Sequence, residues 1–287
     1  MSDAIYMVTG ANGQLGKLVL AHLRRLVPAD QILGLVRREE DAVALRAEGL
    51  GARLGDYEDP ASLTEALQGV KRLLLISGSQ IGRRSVQHAN VIAAAKAAGV
   101  EFIAYTSLLD AAQSGMALAA EHRDTEAALV KSGIPYAILR NGWYSENLLA
   151  GLQNDLAMGK HFGAAADGRF STAPRHDYAE AAALVLSAAG HEGRVYELAG
   201  DSSVSLAELA GLITAAAGKE VAYVDLPEAD YAAALVGAGL PEGFAKILAD
   251  SDAWAAKGAL QSESKDLSTL LGHPTEPMEG TLRRALA

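Results

Sequence analysis

Short apolar runs alternate along the chain with longer stretches in which apolar residues recur every three or four positions. This alternation is typical of βαβ units that form a parallel sheet with helices packed against it. The apolar runs predict strands near residues 4–9, 31–36, 51–54, 71–76, 101–106 and 135–139. Apolar positions between Leu15 and Leu26 follow helical spacing, which predicts the first crossover helix.

The alternation ends near residue 142. Beyond it the pattern predicts helices over about 146–158 and 177–189, a strand over 194–198, and a further helix that begins at the capping box from Ser205 to Glu208. The fold class is therefore α/β: a Rossmann-like, doubly wound parallel sheet with a smaller, mostly helical C-terminal lobe. We expect residues 1–141 and about 172–198 in the cofactor-binding domain, and residues 142–171 and 199–287 in the substrate-binding lobe.

A glycine-rich segment joins the first predicted strand to the first predicted helix. Gly10, Gly13 and Gly16 are spaced G-x-x-G-x-x-G in "VTGANGQLG". Glycines at such a junction turn the chain, let a pyrophosphate approach the backbone and let the helix pack closely on the strand. The N–H groups of the helix N-terminus then face the anion. The segment predicts a dinucleotide site, although glycines also serve ordinary tight turns.

Polar residues at the ends of other predicted strands indicate which dinucleotide binds. The second strand ends in Arg37 and Arg38, where an acidic residue would favour NAD. A guanidinium at that place can bind the 2′-phosphate of NADP through two parallel hydrogen bonds, so Arg37 predicts NADP(H). Either arginine could make the main contact, and the alternative is a solvated surface charge. Asp56 and Tyr57 follow the third strand, and Ser77, Gly78 and Ser79 follow the fourth, so they are further candidates or ordinary loop residues.

Charge and composition exclude several other functions. The formal net charge of −10 would repel the phosphates of nucleic acid and an anionic membrane surface. The chain has no cysteine, which excludes disulfides, thiolate catalysis and zinc-thiolate sites and fits a cytoplasmic protein. The 7 histidines have no metal-binding spacing. We expect no metal, no nucleic acid and no membrane partner.

Five longer segments resemble a known family. They read "VTGANGQLG", "LLLISGSQ", "FIAYTSLLDA", "GIPYAILRNGWYSENLLA" and "GRVYELAGD". Together they resemble the NmrA-like branch of the atypical short-chain dehydrogenases/reductases over essentially the full length. The resemblance implies a Rossmann-like domain, NADPH as the cofactor, and a quinone bound in a cleft under a small C-terminal lobe.

The resemblance also implies site residues. Its cofactor positions fall on Gly10, Ala11, Asn12, Gly13, Gln14, Leu15, Arg37, Ser77, Gly78, Ser79, Tyr105, Thr106 and Ser107. A segment at the boundary between cofactor and substrate falls on Asn141, Gly142, Trp143, Tyr144, Ser145 and Glu146, and a further cofactor contact falls on Arg175. Trp143 and Tyr144 are either walls for a flat acceptor or anchors of the lobe.

The catalytic tyrosine and lysine of the wider dehydrogenase group are missing, because no Tyr-x-x-x-Lys follows the fifth predicted strand. Counted back from the segment that begins at Gly133, the resemblance implies that His122 falls where isoflavone-reductase-like relatives carry a lysine. The candidate catalytic residues are His122, Tyr144 and Asn141. A quinone spreads incoming charge over its ring, so it needs a strong general acid less than an isolated ketone does.

These features together predict an NADPH-dependent reductase that passes hydride directly to a quinone or similar conjugated acceptor, without flavin or metal. The alternatives are a non-catalytic protein that senses NADP(H), or a related reductase that acts on triarylmethane dyes or enones. We expect the protein to be a monomer or a homodimer.

Overall fold

Seven parallel strands form the central sheet of the protein. The structure is a computed structural model that describes residues 5–287. The strands of the central sheet are β1 (Tyr6–Val8), β2 (Ile32–Val36), β3 (Gly51–Leu54), β4 (Arg72–Leu75), β5 (Phe102–Leu108), β6 (Tyr136–Asn141) and β9 (Arg194–Leu198). Their order is β3-β2-β1-β4-β5-β6-β9, so β2 and β3 lie on one side of β1 and the later strands lie on the other side. The predicted fold class is confirmed; residue 4, where the first strand was predicted to begin, lies outside the described residues.

Helices cover both faces of this sheet. They are α1 (Gln14–Leu23), α2 (Glu39–Ala47), α3 (Pro60–Ala66), α4 (Arg84–Ala97), α5 (Ala117–Ser132) and α8 (Arg175–Ser187), with a 3₁₀ turn at Ala29–Gln31. On one face Val19, Leu23 and Val185 of α1 and α8 pack against the strands. On the other face Leu63 of α3 and Val91 of α4 do so. Two apolar cores thus hold the strands in a fixed position.

The remaining elements follow β6 and, except for one helix that packs on the core around α1 and α8, form a second unit with its own core. They are α6 (Ser145–Leu148), α7 (Leu152–Met158), β7 (Lys160–Gly163), β8 (Arg169–Phe170), β10 (Val204–Ser205), α9 (Leu206–Ala217), β11 (Ala222–Asp225), α10 (Glu228–Gly237), α11 (Glu242–Ala255), α12 (Asp266–Leu271) and α13 (Met278–Leu286). Strand β7 pairs in parallel with β11, and β8 pairs antiparallel with β10. Trp143, Phe170 and Leu206 lie in the core of this lobe.

Several local predictions in this part of the chain need correction. The helix predicted over 146–158 is two helices, because the chain leaves the helical path between Leu148 and Leu152. The four short strands of the lobe were not predicted, since runs of two to four residues show no clear alternation. The capping box is confirmed: Ser205 Oγ accepts from the N–H of Glu208 and the Glu208 carboxylate accepts from the N–H of Ser205.

The proposed domain boundaries remain a prediction. Strand β9 lies at the edge of the central sheet, as we expect if residues 172–198 belong to the cofactor-binding domain. Helix α12 packs differently from the rest of residues 199–287, because its Leu267 and Leu271 belong to the core around α1 and α8. Within residues 5–287, no helix is long and apolar enough to cross a membrane.

Candidate cofactor and acceptor site

A cavity of about 790 Å³ lies along the carboxyl ends of β1 to β4. Open α/β sheets bind their ligands at this edge, where the strand order reverses. The cavity is lined by Gly10, Asn12, Gly13, Leu35, Val36, Arg37, Arg38, Asp41, Gly55, Asp56, Tyr57, Ile76, Ser77, Gly78, Ser79, Gln80 and Gln87. Its volume lies within the range of about 300–1,000 Å³ that is common for small-molecule sites.

The glycine-rich turn forms the part of the cavity nearest to α1. Gly10 has φ +57°, a left-handed conformation that disfavours other residues. At Gly16 a Cβ would lie 2.2 Å from the carbonyl oxygen of Gly10, so only glycine lets α1 start this close to β1. Gly13 caps α1 without a side-chain hydrogen bond, which leaves the first-turn N–H groups available to an anion.

The two adjacent arginines after β2 differ in their surroundings. Arg38 donates from Nε and Nη2 to the Asp41 carboxylate at 2.9 and 3.1 Å, and its Nη1 lies 2.8 Å from Glu40. These two carboxylates neutralise Arg38. Arg37 lines the cavity and is exposed, and among residues 5–287 no carboxylate lies within ion-pair distance of it. Of the two guanidinium groups, that of Arg37 is therefore free to bind a phosphate.

The loop after β4 is fixed to the neighbouring strands. The N–H of Ile76 donates to Oγ1 of Thr9 at 2.9 Å, and the N–H of Ser77 donates to Oγ1 of Thr106 at 2.9 Å. The hydroxyl of Tyr57 donates to the carbonyl of Ile76 at 3.2 Å. Burial raises the pKa of Tyr57, so its hydroxyl stays protonated. This wall of the cavity is therefore held by side chains of the turn after β1, of β5 and of the loop after β3.

The side chains at the carboxyl end of β5 form hydrogen bonds with other side chains of the fold. Tyr105 is fully buried, and its hydroxyl lies 2.8 Å from Nδ1 of His122. Ser107 donates to Glu126 at 2.6 Å, and Arg140 forms a two-pronged ion pair with that same glutamate at 2.9 and 2.7 Å. Of the three residues predicted there, only Thr106 reaches the loop that lines the cavity, through its bond to Ser77.

The turn from β6 into α6 carries buried polar atoms without partners. Asn141 donates from Nδ2 to the Tyr144 hydroxyl at 3.3 Å, whereas Asn141 Oδ1 and Ser145 Oγ are buried and accept or donate no hydrogen bond within the described part of the chain. Buried polar atoms of this kind are uncommon and often mark a place for a ligand or water. This turn continues the edge of the sheet beyond the loop after β4.

The aromatic residues of this turn lie in different environments. Trp143 is 8% exposed and packs in the core of the lobe. The Tyr144 ring lies 5.2 Å from the ring of Tyr178 and 4.8 Å from the guanidinium of Arg175. Glu146 accepts from the backbone N–H of Arg175, so these two predicted residues join α6 to the start of α8.

His122 lies behind the sheet and does not line the cavity. It is 6% exposed, and burial together with the positive charge of Arg84 and the neighbouring His88 lowers its pKa well below the usual value. The imidazole is therefore neutral at physiological pH, and its contact is with Tyr105. The structure therefore shows no direct contact between His122 and the cavity.

The structure thus brings together part of the predicted site. The predicted residues that line the cavity are Gly10, Asn12, Gly13, Arg37, Asp56, Tyr57, Ser77, Gly78 and Ser79. Ala11 and Leu15 are buried in the apolar core, and Gln14 begins α1. The lining residues Asp41, Gln80 and Gln87 were not predicted: Asp41 and Gln87 lie in helices, and Gln80 lies further along the loop after β4 than the predicted residues. Residues 5–287 contain no cluster of three or more His, Asp or Glu side chains that could hold a metal ion.

Comparisons with known proteins agree with this geometry. Residues 10–189 match the model of a family described as NAD(P)H-binding. Over 268 residues the chain is 58% identical to quinone oxidoreductase 2 of Escherichia coli (strain K12), covering 93% of this chain and 94% of that protein. The crystal structure of the NADPH-dependent quinone oxidoreductase of E. coli complexed with NADPH has a TM-score of 0.96 and 54% identity, covering 99% of this chain and 100% of that chain.

A solved structure of a second reductase is also similar. The triphenylmethane reductase of Citrobacter sp., complexed with NADP(H), has a TM-score of 0.94 and 39% identity, covering 98% of this chain and 99% of that chain. The resemblance to NADPH-dependent reductases that the sequence motifs indicate is confirmed.

Proposed function

This chain belongs to the NAD(P)H-binding family, and from that premise we propose that it oxidises NADPH and transfers a hydride directly to a quinone or a similar conjugated acceptor. The observation that carries the proposal is the 58% identity, over 93% of the chain, to a quinone oxidoreductase. The cavity along β1 to β4 supports it independently, because its volume and its lining by the glycine-rich turn and Arg37 suit a dinucleotide.

The residues that line the cavity suit the phosphate groups of NADP(H). We assign the 2′-phosphate to Arg37, because its guanidinium has no carboxylate partner in the described chain. The turn from Gly10 to Gly13 and the uncapped start of α1 suit the pyrophosphate. The loop from Ser77 to Ser79 leads towards the nicotinamide end, where the edge of the sheet continues to the turn after β6.

When bound, NADPH supplies the hydride, and the chain supplies position and environment. We propose that the turn after β6 lies between cofactor and acceptor, because Asn141 Oδ1 and Ser145 Oγ are buried there and have no hydrogen-bond partner among residues 5–287. Tyr144 keeps its hydroxyl protonated, since burial raises its pKa, and can therefore donate a hydrogen bond. Holding two flat rings close and parallel can supply much of the reduction in the activation barrier.

No strong general acid is required in this proposal. Because His122 is neutral and in contact with Tyr105, we assign it to holding that tyrosine in place. The reduced acceptor spreads charge over its ring and takes its protons from water or from a hydroxyl such as that of Tyr144. The remaining candidates of the site, including Arg175 and Glu146, would then fix the turn after β6.

Triarylmethane dyes are a second candidate class of acceptor, since a triphenylmethane reductase shares the fold at 39% identity. The test is a panel of quinones, triarylmethane dyes and enones offered to the purified protein with NADPH, with turnover followed by the loss of reduced-nicotinamide absorbance. We expect the highest kcat/KM with a quinone. Higher values with a dye would reassign the acceptor, and tight NADPH binding without turnover of any acceptor would indicate a sensing protein.

A further inference from the structure

Gly78, in the wall of the cavity, is held on both of its peptide groups by buried side chains of α4. Its N–H donates to Nε2 of His88 at 3.0 Å, and its carbonyl accepts from Nε of Arg84 at 2.8 Å. His88 is 0% exposed and Arg84 is 6% exposed, and neither lines the cavity. The N–H and the carbonyl of Gly78 are therefore both fixed by side chains that do not line the cavity.

The hydrogen bonds of His88 determine which of its ring nitrogens carries the proton. Nδ1 lies 2.9 Å from Oγ1 of Thr125, and the Thr125 hydroxyl donates its only hydrogen to the carbonyl of Glu121 at 2.9 Å. Thr125 must therefore accept from Nδ1–H, which leaves Nε2 as an acceptor. Burial, and then the charge of Arg84, lowers the pKa of His88 to about 3, so the ring is neutral and can accept from Gly78.

Arg84 is fixed in turn by Glu121. One carboxylate oxygen of Glu121 accepts from the backbone N–H groups of Gly82 and Arg84 at 3.1 and 3.0 Å, and the other lies 3.5 Å from Nη1 of Arg84. Glu121 and Thr125 lie four residues apart on α5, as Arg84 and His88 do on α4. The pair on α4 contacts Gly78, and the pair on α5 contacts the pair on α4.

We propose that His88 is a positioning residue for NADPH binding, which sets the orientation of the Gly78 peptide through a hydrogen-bond relay from Thr125. The inference rests on the proposed function. Without an acceptor at Nε2, the Gly78 N–H would turn towards water in the free protein, because a buried N–H without a partner is unfavourable. Cofactor binding would then have to reorder the loop, whereas the relay keeps it in the binding conformation in advance.

The test compares variants of the full chain by NADPH titration and by kcat at saturating NADPH. His88→Leu removes the acceptor, and we expect the Kd for NADPH to rise about tenfold with kcat changed less than about twofold. His88→Gln places an amide oxygen near the position of Nε2 and should restore binding. His191→Leu is the matched control, because that histidine bonds to Tyr196 outside the cavity and should leave the Kd unchanged.

Thr125→Val is a second route to the same relay and leaves His88 in place. It removes the acceptor for Nδ1–H of His88, so the tautomer that carries its proton on Nε2 becomes accessible. That tautomer would place an N–H donor against the N–H of Gly78, and we expect the Kd for NADPH to rise about threefold. Thr125→Ser should bind NADPH as the wild type does. An unchanged Kd in both His88→Leu and Thr125→Val overturns the relay, even if their melting temperatures fall. A wild type that fails to bind NADPH overturns the proposed function itself.

Discussion

At the scale of single residues, the choice of cofactor depends on one of two adjacent arginines. Arg37 faces the cavity without a carboxylate partner among residues 5–287, whereas Glu40 and Asp41 bind Arg38. If Arg37 binds the 2′-phosphate, Arg37→Ala removes a charge-assisted contact and should weaken NADPH binding about ten- to 150-fold. NADH lacks that phosphate, so its Kd should change little. Binding titrations of both cofactors at fixed ionic strength measure the effect.

Arg38→Ala is the control for this prediction, because the adjacent arginine has the same charge but a different pairing. It should change the Kd for NADPH much less than Arg37→Ala does. A larger loss in Arg38→Ala would move the phosphate contact to that residue. If the double variant kept its full preference for NADPH, the two arginines would be only surface charges.

At the scale of elements, a buried carboxylate joins α11 to the strand end of β7. Asp252 is 7% exposed and accepts from the N–H of Ala164 at 3.0 Å. Burial raises its pKa to about 6, although the Ala164 hydrogen bond and the neighbouring His161 act in the opposite direction. An acid whose pKa is higher in the folded state destabilises the fold as pH rises through that value, because ionisation is easier in the unfolded chain.

Asp252→Asn should therefore stabilise the protein near neutral pH, since the amide keeps an acceptor for Ala164 and never ionises. The gain should be about 3 kcal/mol at most near pH 7 and should become small below about pH 4, where both states of the wild type are protonated. Urea unfolding of the variant and the wild type across this pH window measures the difference. A difference that does not depend on pH would show that the Asp252 carboxyl titrates normally in the fold.

At the scale of the whole molecule, the sequence could predict the sheet better than the lobe. The inner strands β1, β2, β4 and β5 are mostly buried on both faces, so they appear as short apolar runs in the sequence, whereas the edge strands β3 and β9 are largely exposed or half-buried. Strands such as β8 and β10 have two residues each, and their pairing joins segments far apart in the chain. No local pattern encodes such a pairing.

The sequence could likewise predict only part of the candidate site. Residues that follow a strand, such as Arg37 and Ser77, could be placed at the cavity because the carboxyl ends of parallel strands share one edge. His88 and Arg84 act from behind that edge, and the only signal for them is their spacing of four on the helix after β4. For His122 the sequence could not show that the ring would be buried against Tyr105.

The central claim is that this chain alone transfers two electrons from NADPH to a quinone. The most direct test mixes purified protein, freed of any bound flavin, with NADPH and a quinone under anaerobic conditions, and measures NADPH consumed against hydroquinone formed. We expect one hydroquinone per NADPH and no stimulation by added flavin, because the hydride passes directly between two closely held rings. A requirement for flavin, or NADPH binding without any quinone reduction, would contradict it.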